Sequence, residues 1–136
     1  MVQDWNEKIV IVTGGGGGMG QAAARRFALA GAKTFVFGRT VDSLQATAAL
    51  SPNIIPIACD VACTSSVAAA MEVVLQHGTP FALIHTAGIN TPDRFMAHAD
   101  PARLASAETW KQVMEVNVLG VVHMIQPTTP ATTCNC

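Results

Sequence analysis

The chain of 136 residues carries eight basic and nine acidic side chains, a formal net charge of −1, and half of its residues are hydrophobic. This near-neutral balance, without a basic cluster, argues against nucleic acid as a partner. Its apolar runs are shorter than the roughly 18 residues of a membrane span and residues 1–8 lack the layout of a secretory signal, so we expect one soluble, cytoplasmic domain that does not bind membranes.

The first predicted elements are a strand over residues 8–12, a run of glycines from Gly14 to Gly18, and a helix over 19–30. Glycine permits positive φ and leaves no Cβ in the way of a ligand, and a helix N-terminus offers unpaired N–H groups to an anion. The pattern predicts a turn that holds the phosphates of a dinucleotide. The predicted apolar face and C-terminal cap of this helix comprise Met19, Ala23, Phe27, Ala30 and the cap Gly31.

The spacing of the glycines discriminates between two kinds of nucleotide site. Gly15, Gly17 and Gly20 satisfy the general dinucleotide fingerprint G-x-G-x-x-G, a match that a polyglycine run makes easy to obtain. The phosphate-binding loop of nucleoside triphosphatases needs Lys and then Ser or Thr after its last glycine, but Gln21 and Ala22 follow here. The sequence therefore favours a dinucleotide.

Three more strands are predicted over residues 33–37, 54–58 and 81–85. Between them lie helices that we expect to be capped by Asp42 and by Thr64, and a helix over 108–125 begins near the cap Ser106 after a loop rich in Pro, Asp and Ala. Pro56 predicts an edge position for the third strand. The predicted apolar face of the helix after Thr64 comprises Val67, Ala70, Met71, Val74 and Leu75.

Strands that alternate with helices form a parallel sheet, and right-handed crossovers give the strand order 3-2-1-4 when the phosphate-binding turn follows the first strand. We therefore predict an α/β fold, a doubly wound sheet of the Rossmann type, which is incomplete because the fourth strand has no further neighbour. Residues 1–126 are predicted to form this domain. Residues 127–136 are predicted to be a disordered tail rich in Thr and Pro, which begins where Pro127 breaks the helix.

Cysteine and histidine residues give no pattern typical of a metal site. The spacings C-x3-C and C-x-C do not match the paired ligands of structural zinc, so we expect no metal and interpret Cys59 and Cys63 as reduced, partly buried thiols. The histidines are dispersed, and each is interpreted as a structural or surface residue: His77, His85, His98 and His123.

Over residues 5–126 the chain resembles the short-chain dehydrogenase/reductase family. Thr13, Gly14, Gly18 and Gly20 fit the motif T-G-x-x-x-G-x-G. The landmarks that follow in the family's order are Arg39, Asp60-Val61, His85-Thr86-Ala87-Gly88 and the helix segment Val116-Asn117-Val118-Leu119-Gly120. Jointly they are far more specific than the glycines alone.

The resemblance implies hydride transfer between a nicotinamide cofactor and an alcohol or ketone. It also implies that Asp60 accepts a hydrogen bond from the adenine amino group, that Ala87 and Gly88 line the ribose, and that Asn117 is catalytic and holds a proton-relay water. His85-Thr86 stand where the family has two Asn residues, which leaves open whether the hydrogen bonds that brace the sheet are kept. The cofactor-binding residues expected in this way are Thr13, Gly14, Gly16, Gly17, Gly18, Met19, Gly20, Arg39, Asp60, Val61, Thr86, Ala87 and Gly88.

The end of the second strand bears on the choice of cofactor. A carboxylate there accepts a hydrogen bond from the ribose 2′-OH of NAD, whereas a guanidinium suits the 2′-phosphate of NADP. Arg39 follows the strand directly, and Asp42 lies a few residues late and is interpreted as a helix cap. We therefore favour NADP(H) over NAD(H).

The family's acid/base Tyr and the Lys four residues after it have no counterpart here, because the chain contains no Tyr, and no Lys or Ser follows Ile125. We expect a truncated, inactive copy of an oxidoreductase. The alternatives are a catalytically dead dinucleotide-binding module and a non-functional, aggregation-prone product with an open edge at 81–84. Relatives pair through the long helix and the one after it, so a homo-oligomer through helix 108–125 is also considered.

Overall fold

The computed structural model describes residues 4–91 and 105–128. A parallel sheet is flanked by helices on both faces, as the alternating pattern predicts. The elements in chain order are β1 (Ile9–Thr13), α1 (Gly18–Leu29), β2 (Lys33–Gly38), α2 (Val41–Ala48), β3 (Ile54–Ala58), α3 (Thr64–Leu75), β4 (Ala82–His85), α4 (Ala107–Met114), a π-helical segment (Glu115–Leu119) and α5 (Gly120–Thr128).

The strand order is β3-β2-β1-β4, and every pairing is parallel, which confirms the predicted order 3-2-1-4. β1 lies between β2 and β4 and is buried along its whole length, which explains its continuous apolar run. β3 pairs only with β2 among the described strands, so Pro56 lies in an edge strand as predicted.

Two hydrophobic cores cover the two faces of the sheet. On one face Ile11, Phe35 and Phe37 pack with α3 and α5, through side chains that include Met71 and Met124. The opposite core combines β1 and β2 with α1 and α2 through Val10, Val12, Val36, Ala24, Ala28 and Leu44. The sheet is thereby held rigidly, and the ends of its strands have fixed positions.

Helix α1 buries a face that overlaps the predicted one only in part. Gly20, Ala24 and Ala28 are buried, and Ala23 and Phe27 of the predicted face are half-buried against the same core, whereas Met19 is 79% exposed. The small residues at the buried positions let the helix approach the sheet closely. Gly31 follows the helix at φ +98, as expected for its C-terminal cap.

Two predicted helix caps are displaced. The N-cap of α2 is Thr40, and Asp42 lies within the first turn, where a carboxylate still interacts favourably with the helix dipole. The N-cap of α3 is Cys63, and Thr64 is the first helical residue. Along α3 four residues of the predicted face are buried, but Leu75, in the last turn, is 51% exposed.

The long helix begins at the predicted cap, since the Thr109 amide donates to Ser106 Oγ at 3.1 Å. It is interrupted by the π-helical segment, in which the Gly120 amide bonds to the Glu115 carbonyl. The prediction that Pro127 breaks the helix is wrong, because α5 continues to Thr128. A proline lacks the helical N–H and crowds the carbonyl four residues earlier, but Pro127 lies next to the last residue of α5, so little of the helix depends on the lost bond. The expected tail beyond residue 128 and the loop over 92–104 lie outside the described residues.

Strand β4 begins one residue later than predicted, at Ala82. Phe81 is half exposed; its ring contacts Trp5 edge-on, and the Lys8 ammonium lies 4.8 Å from its centre. Among the described strands β4 pairs only with β1. The helices within 4–91 and 105–128 include none long and apolar enough to cross a membrane.

The buried position of Ile11 gives a stability prediction with a matched control. We expect Ile11→Val to lower the free energy of unfolding by about 0.5–1.5 kcal/mol, because the lost methylene lies in a closed core. The same substitution at the half-exposed Ile125 should change it by less than about 0.5 kcal/mol. Urea denaturation of both variants measures the difference, and equal losses would contradict the described core.

Candidate functional site

A cleft of about 230 Å³ lies at the C-terminal ends of the strands. Ligands of open α/β sheets bind at this edge, where the loops after neighbouring strands diverge. Its walls come from the glycine turn, the ends of β2 and β3, the loop after β4 and the long helix: Gly14, Gly16, Gly17, Phe37, Gly38, Arg39, Thr40, Ser43, Cys59, Asp60, Val61, Ala87, Gly88, Ile89 and Val116.

The first part of the glycine turn is packed tightly between its neighbours. Gly14 has φ +66, and a Cβ there would lie 2.8 Å from the Ala87 nitrogen. A Cβ on Gly15 would lie 2.6 Å from the Cβ of Val36, and the Gly15 amide donates to the Phe37 carbonyl at 3.0 Å. Larger side chains at these positions would push the turn away from the sheet.

The second part of the turn faces open space. Nothing lies within 4 Å of a Cβ built on Gly17 or Gly18, and Gly18 has φ +52. Gly17 is the N-cap of α1 and has no side chain to accept from the first-turn amides. The start of α1 therefore combines unpaired N–H groups, the positive end of the helix dipole and room for a ligand, which fits a phosphate group.

Thr86 links β4 to β1 at the base of the cleft. Its hydroxyl donates to the Thr13 carbonyl at 2.6 Å, and the amides of Thr86 and Ala87 both donate to Thr13 Oγ1 at 3.2 Å. Thr13 is fully buried. The bracing that the family obtains from Asn is thus supplied here by two threonines.

Gly20 is the contact point between α1 and this brace. A Cβ on Gly20 would overlap the Gly14 carbonyl oxygen and lie 2.6 Å from Thr86 Oγ1. The helix N-terminus can therefore approach the end of β4 only because this position is glycine.

His85, by contrast, gains no hydrogen bond within the described residues, although both of its ring nitrogens are shielded from solvent. Burial lowers the pKa of His85, and a weaker interaction with the backbone of Ala87 acts in the opposite direction. The ring is consequently held in its neutral form at neutral pH.

The turn after β3 is held by its own hydrogen bonds. The Asp60 amide donates to Ser66 Oγ at 3.0 Å, and Asp60 Oδ1 accepts from the Ala62 amide at 3.0 Å. Burial raises the pKa of Cys59 to about 11, whereas a hydrogen bond with Ser65 lowers the pKa of the exposed Cys63. Both thiols are free; Cys59 is buried and Cys63 is exposed.

At the end of β2, Arg39 is exposed and lines the cleft together with Thr40 and Ser43. Ser43 donates from its hydroxyl to the Thr40 carbonyl at 2.8 Å. A Cβ on Gly16 would lie 2.5 Å from Ser43 Oγ, so the glycine turn and the start of α2 are in close contact. Asp42 is not among the residues of the cleft wall.

Asn117 lies in the π-helical segment and binds the backbone of Ile89 with both ends of its amide. The Ile89 amide donates to Asn117 Oδ1 and Asn117 Nδ2 donates to the Ile89 carbonyl, each at 2.8 Å. This pair of bonds fixes the loop after β4 against the long helix.

Eight of the expected cofactor-binding residues line the cleft: Gly14, Gly16, Gly17, Arg39, Asp60, Val61, Ala87 and Gly88. Thr13, Gly20 and Thr86 lie behind its wall and support it, and Met19 projects into solvent. Sequence reasoning missed the other residues of the wall: Phe37, Gly38, Thr40, Ser43, Cys59, Ile89 and Val116. The only sequence signal for most of them was their position at or soon after the end of a predicted strand.

Comparison with known proteins assigns the family. A family model described as short chain dehydrogenase matches residues 8–133, so the chain belongs to this family. The dehydrogenase/reductase SDR family member 11 of Bos taurus is 28% identical over 88% of this chain and 47% of its own length. The NADP-dependent 3-hydroxy acid dehydrogenase YdfG of Salmonella typhi is 30% identical over 90% of this chain and 48% of its own length.

Solved structures agree with this assignment. A 3-ketoacyl-(acyl-carrier-protein) reductase from Brucella melitensis complexed with NADH matches with a TM-score of 0.82 and 29% identity, over 92% of this chain and 50% of that chain. The chain therefore spans about half the length of the relatives it matches.

The Thr13–Thr86 brace gives a prediction. Thr86→Val keeps the shape of the side chain but removes the donor to a buried carbonyl, so we expect the free energy of unfolding to fall by about 1 kcal/mol. Thr79→Val, the same change at an exposed position, should alter it by less than about 0.5 kcal/mol. Urea denaturation measures both, and a neutral Thr86→Val would show that the hydroxyl bond of the brace adds no stability.

The neutral state of His85 predicts a pH dependence. As the pH falls through about 6.5, the ordinary pKa of histidine, the unfolded chain takes up a proton that the folded chain accepts only at lower pH, because burial lowers the pKa of His85. The free energy of unfolding should therefore decrease between about pH 7.5 and pH 5.5, and less so in His85→Asn. Urea denaturation of the wild type and of His85→Asn at both pH values tests this. The difference between the two proteins in the free energy of unfolding cancels the contribution of other titrating groups. Identical pH dependences would contradict it.

Proposed function

We propose that this chain is the dinucleotide-binding part of a short-chain dehydrogenase and that it binds NADP(H) in the cleft. The observation that carries the proposal is the open start of α1, where Gly17 and Gly18 leave room for a pyrophosphate and the first-turn amides lack a side-chain cap. Thr13, Gly14 and Gly20 keep the turn in place behind this opening. The NADH complex of the Brucella reductase and the NADP dependence named for the Salmonella relative support a nicotinamide dinucleotide.

The preference for NADP(H) rests on Arg39. Arg39 is the only Lys or Arg among the residues of the cleft wall, which it lines together with Thr40 and Ser43. A guanidinium forms strong charge-assisted hydrogen bonds with phosphate oxygens, whereas the ribose hydroxyl of NAD would gain more from a carboxylate. Asp42, the nearest carboxylate along the chain, is not part of the wall.

The remaining assignments concern the other residues of the cleft wall. Asp60 and Val61 would contact the adenine, with Asp60 Oδ2 left to accept from its amino group because Oδ1 is bonded to Ala62. Ala87 and Gly88 would line the nucleotide ribose, where the absence of a larger side chain permits close approach. Asn117 would act near the reacting atoms, as the family resemblance implies, while it holds the Ile89 backbone.

The reaction that this site would serve is hydride transfer between NADP(H) and an alcohol or ketone. Such a transfer needs an acid/base group for the substrate oxygen. The sequence contains no Tyr, the residue that supplies this group in the family. We therefore propose that these 136 residues bind the dinucleotide but do not by themselves turn over a substrate, and that a catalytically dead binding module is the second candidate.

The test of the cofactor preference is titration calorimetry with NADPH and NADH. Arg39→Ala should weaken NADPH binding by about tenfold or more and leave NADH binding nearly unchanged, since only NADPH has the 2′-phosphate. Arg25→Ala, which removes an exposed guanidinium outside the cleft wall, should change neither. Equal losses for both cofactors in Arg39→Ala would contradict the assignment, and no binding of either cofactor by the wild type would contradict the proposed function itself.

A further inference from the structure

We propose that His123, on the long helix, is a positioning residue that fixes the adenine-side wall of the cleft through the backbone of Val61. The proposal rests on the proposed dinucleotide-binding function and deepens it. His123 is not part of the cleft wall and has no role in the assignments above.

The hydrogen bond that carries the inference joins residues far apart in the sequence. His123 Nδ1 lies 2.9 Å from the Val61 carbonyl oxygen, and the pair is partly buried. A carbonyl oxygen only accepts, so Nδ1 carries the proton and donates. The imidazole thereby links α5 to the turn that follows β3.

Close packing makes this bond possible. A Cβ on Gly120 would lie 2.8 Å from Val61 Cγ2, so the helix approaches the turn closely because position 120 is glycine. Val61 itself is buried. The turn is therefore clamped from the helix side by one hydrogen bond and one packing contact.

Other contacts hold this turn to β2 and to α3. The Cys59 amide donates to the Gly38 carbonyl at the end of β2 at 2.9 Å. Ser66 accepts from the Asp60 amide, and the Asp60 carboxylate accepts from the Ala62 amide. None of these bonds reaches the long helix. The His123 bond ties the same peptide segment to α5, and it consequently contributes to where the Asp60 carboxylate stands relative to that helix.

The expected consequence is specific to recognition of the adenine amino group. Asp60 can discriminate adenine from hypoxanthine, because hypoxanthine has a carbonyl oxygen where adenine has the amino donor. If His123 sets the position of Asp60, losing the His123 bond should reduce this discrimination. A role limited to stability would lower the population of folded chain and weaken both ligands alike.

The test compares dissociation constants for NADPH and for its hypoxanthine analogue by calorimetry. For the wild type we expect about tenfold tighter binding of NADPH, the factor typical of a hydrogen bond to a charged acceptor. His123→Leu removes the donor, and the ratio should fall towards unity. His123→Asn places an amide donor close to the position of Nδ1 and should restore most of the ratio.

Two further variants complete the design. Asp60→Asn should abolish the discrimination directly, and Met124→Leu, a change of a buried core residue one position along the helix, should leave the ratio unchanged. An unchanged ratio in His123→Leu, or a wild type that binds both ligands equally, would overturn the positioning role while dinucleotide binding stands. Failure of the wild type to bind either ligand would instead refute the proposed function, and the inference with it.

Discussion

The close approach of the glycine turn to the end of β4 is the constraint on which the other features of the site depend. A Cβ on Gly14 would collide with the backbone of Thr86 and Ala87, and one on Gly20 would collide with Gly14 itself. Because no side chains intervene, Thr13 and Thr86 can exchange hydrogen bonds across the base of the cleft. Helix α1 then starts at a fixed distance from the strand ends, with its unpaired amides directed at the same space that the loop after β4 borders. The proposed phosphate site is therefore built from backbone positions alone.

The sequence predicted the sheet well because its signals are local and strong. Apolar runs bounded by glycine and proline marked each strand, and the handedness of crossovers left one sensible order for them. It failed at two helix starts, because the N-caps are Thr40 and Cys63, one or two residues before the predicted caps Asp42 and Thr64. The buried face of α1 was predicted only in part, since the size of Met19 favoured burial but its place in the first turn leaves it in solvent.

The site was predictable only in part, because several of its residues are related by contacts across the fold. Asp60 and Arg39 follow strands directly, so their arrival at one edge of the sheet follows from the topology. Ser43 lines the cleft because Gly16, which has no side chain, leaves space beside it. No sequence pattern within α2 predicts this contact. The sequence likewise predicts neither the π-helical segment nor the buried ring of His85, which has no hydrogen-bond partner among the described residues. Both features depend on packing against neighbouring elements and not on the propensity of the residues themselves.

The two walls of the cleft are mechanically connected through the long helix. Asn117 holds the loop after β4 by its two bonds to Ile89, and six residues later His123 holds the turn after β3. The π-helical segment lies at the first of these attachments and Gly120 lies between them, where the helix touches Val61. A shift of this helix would therefore displace both walls together, whereas the glycine turn, which is anchored to β2 and β4, would stay in place. Substitutions on the helix should for that reason affect the sugar and base of a dinucleotide more than its phosphates.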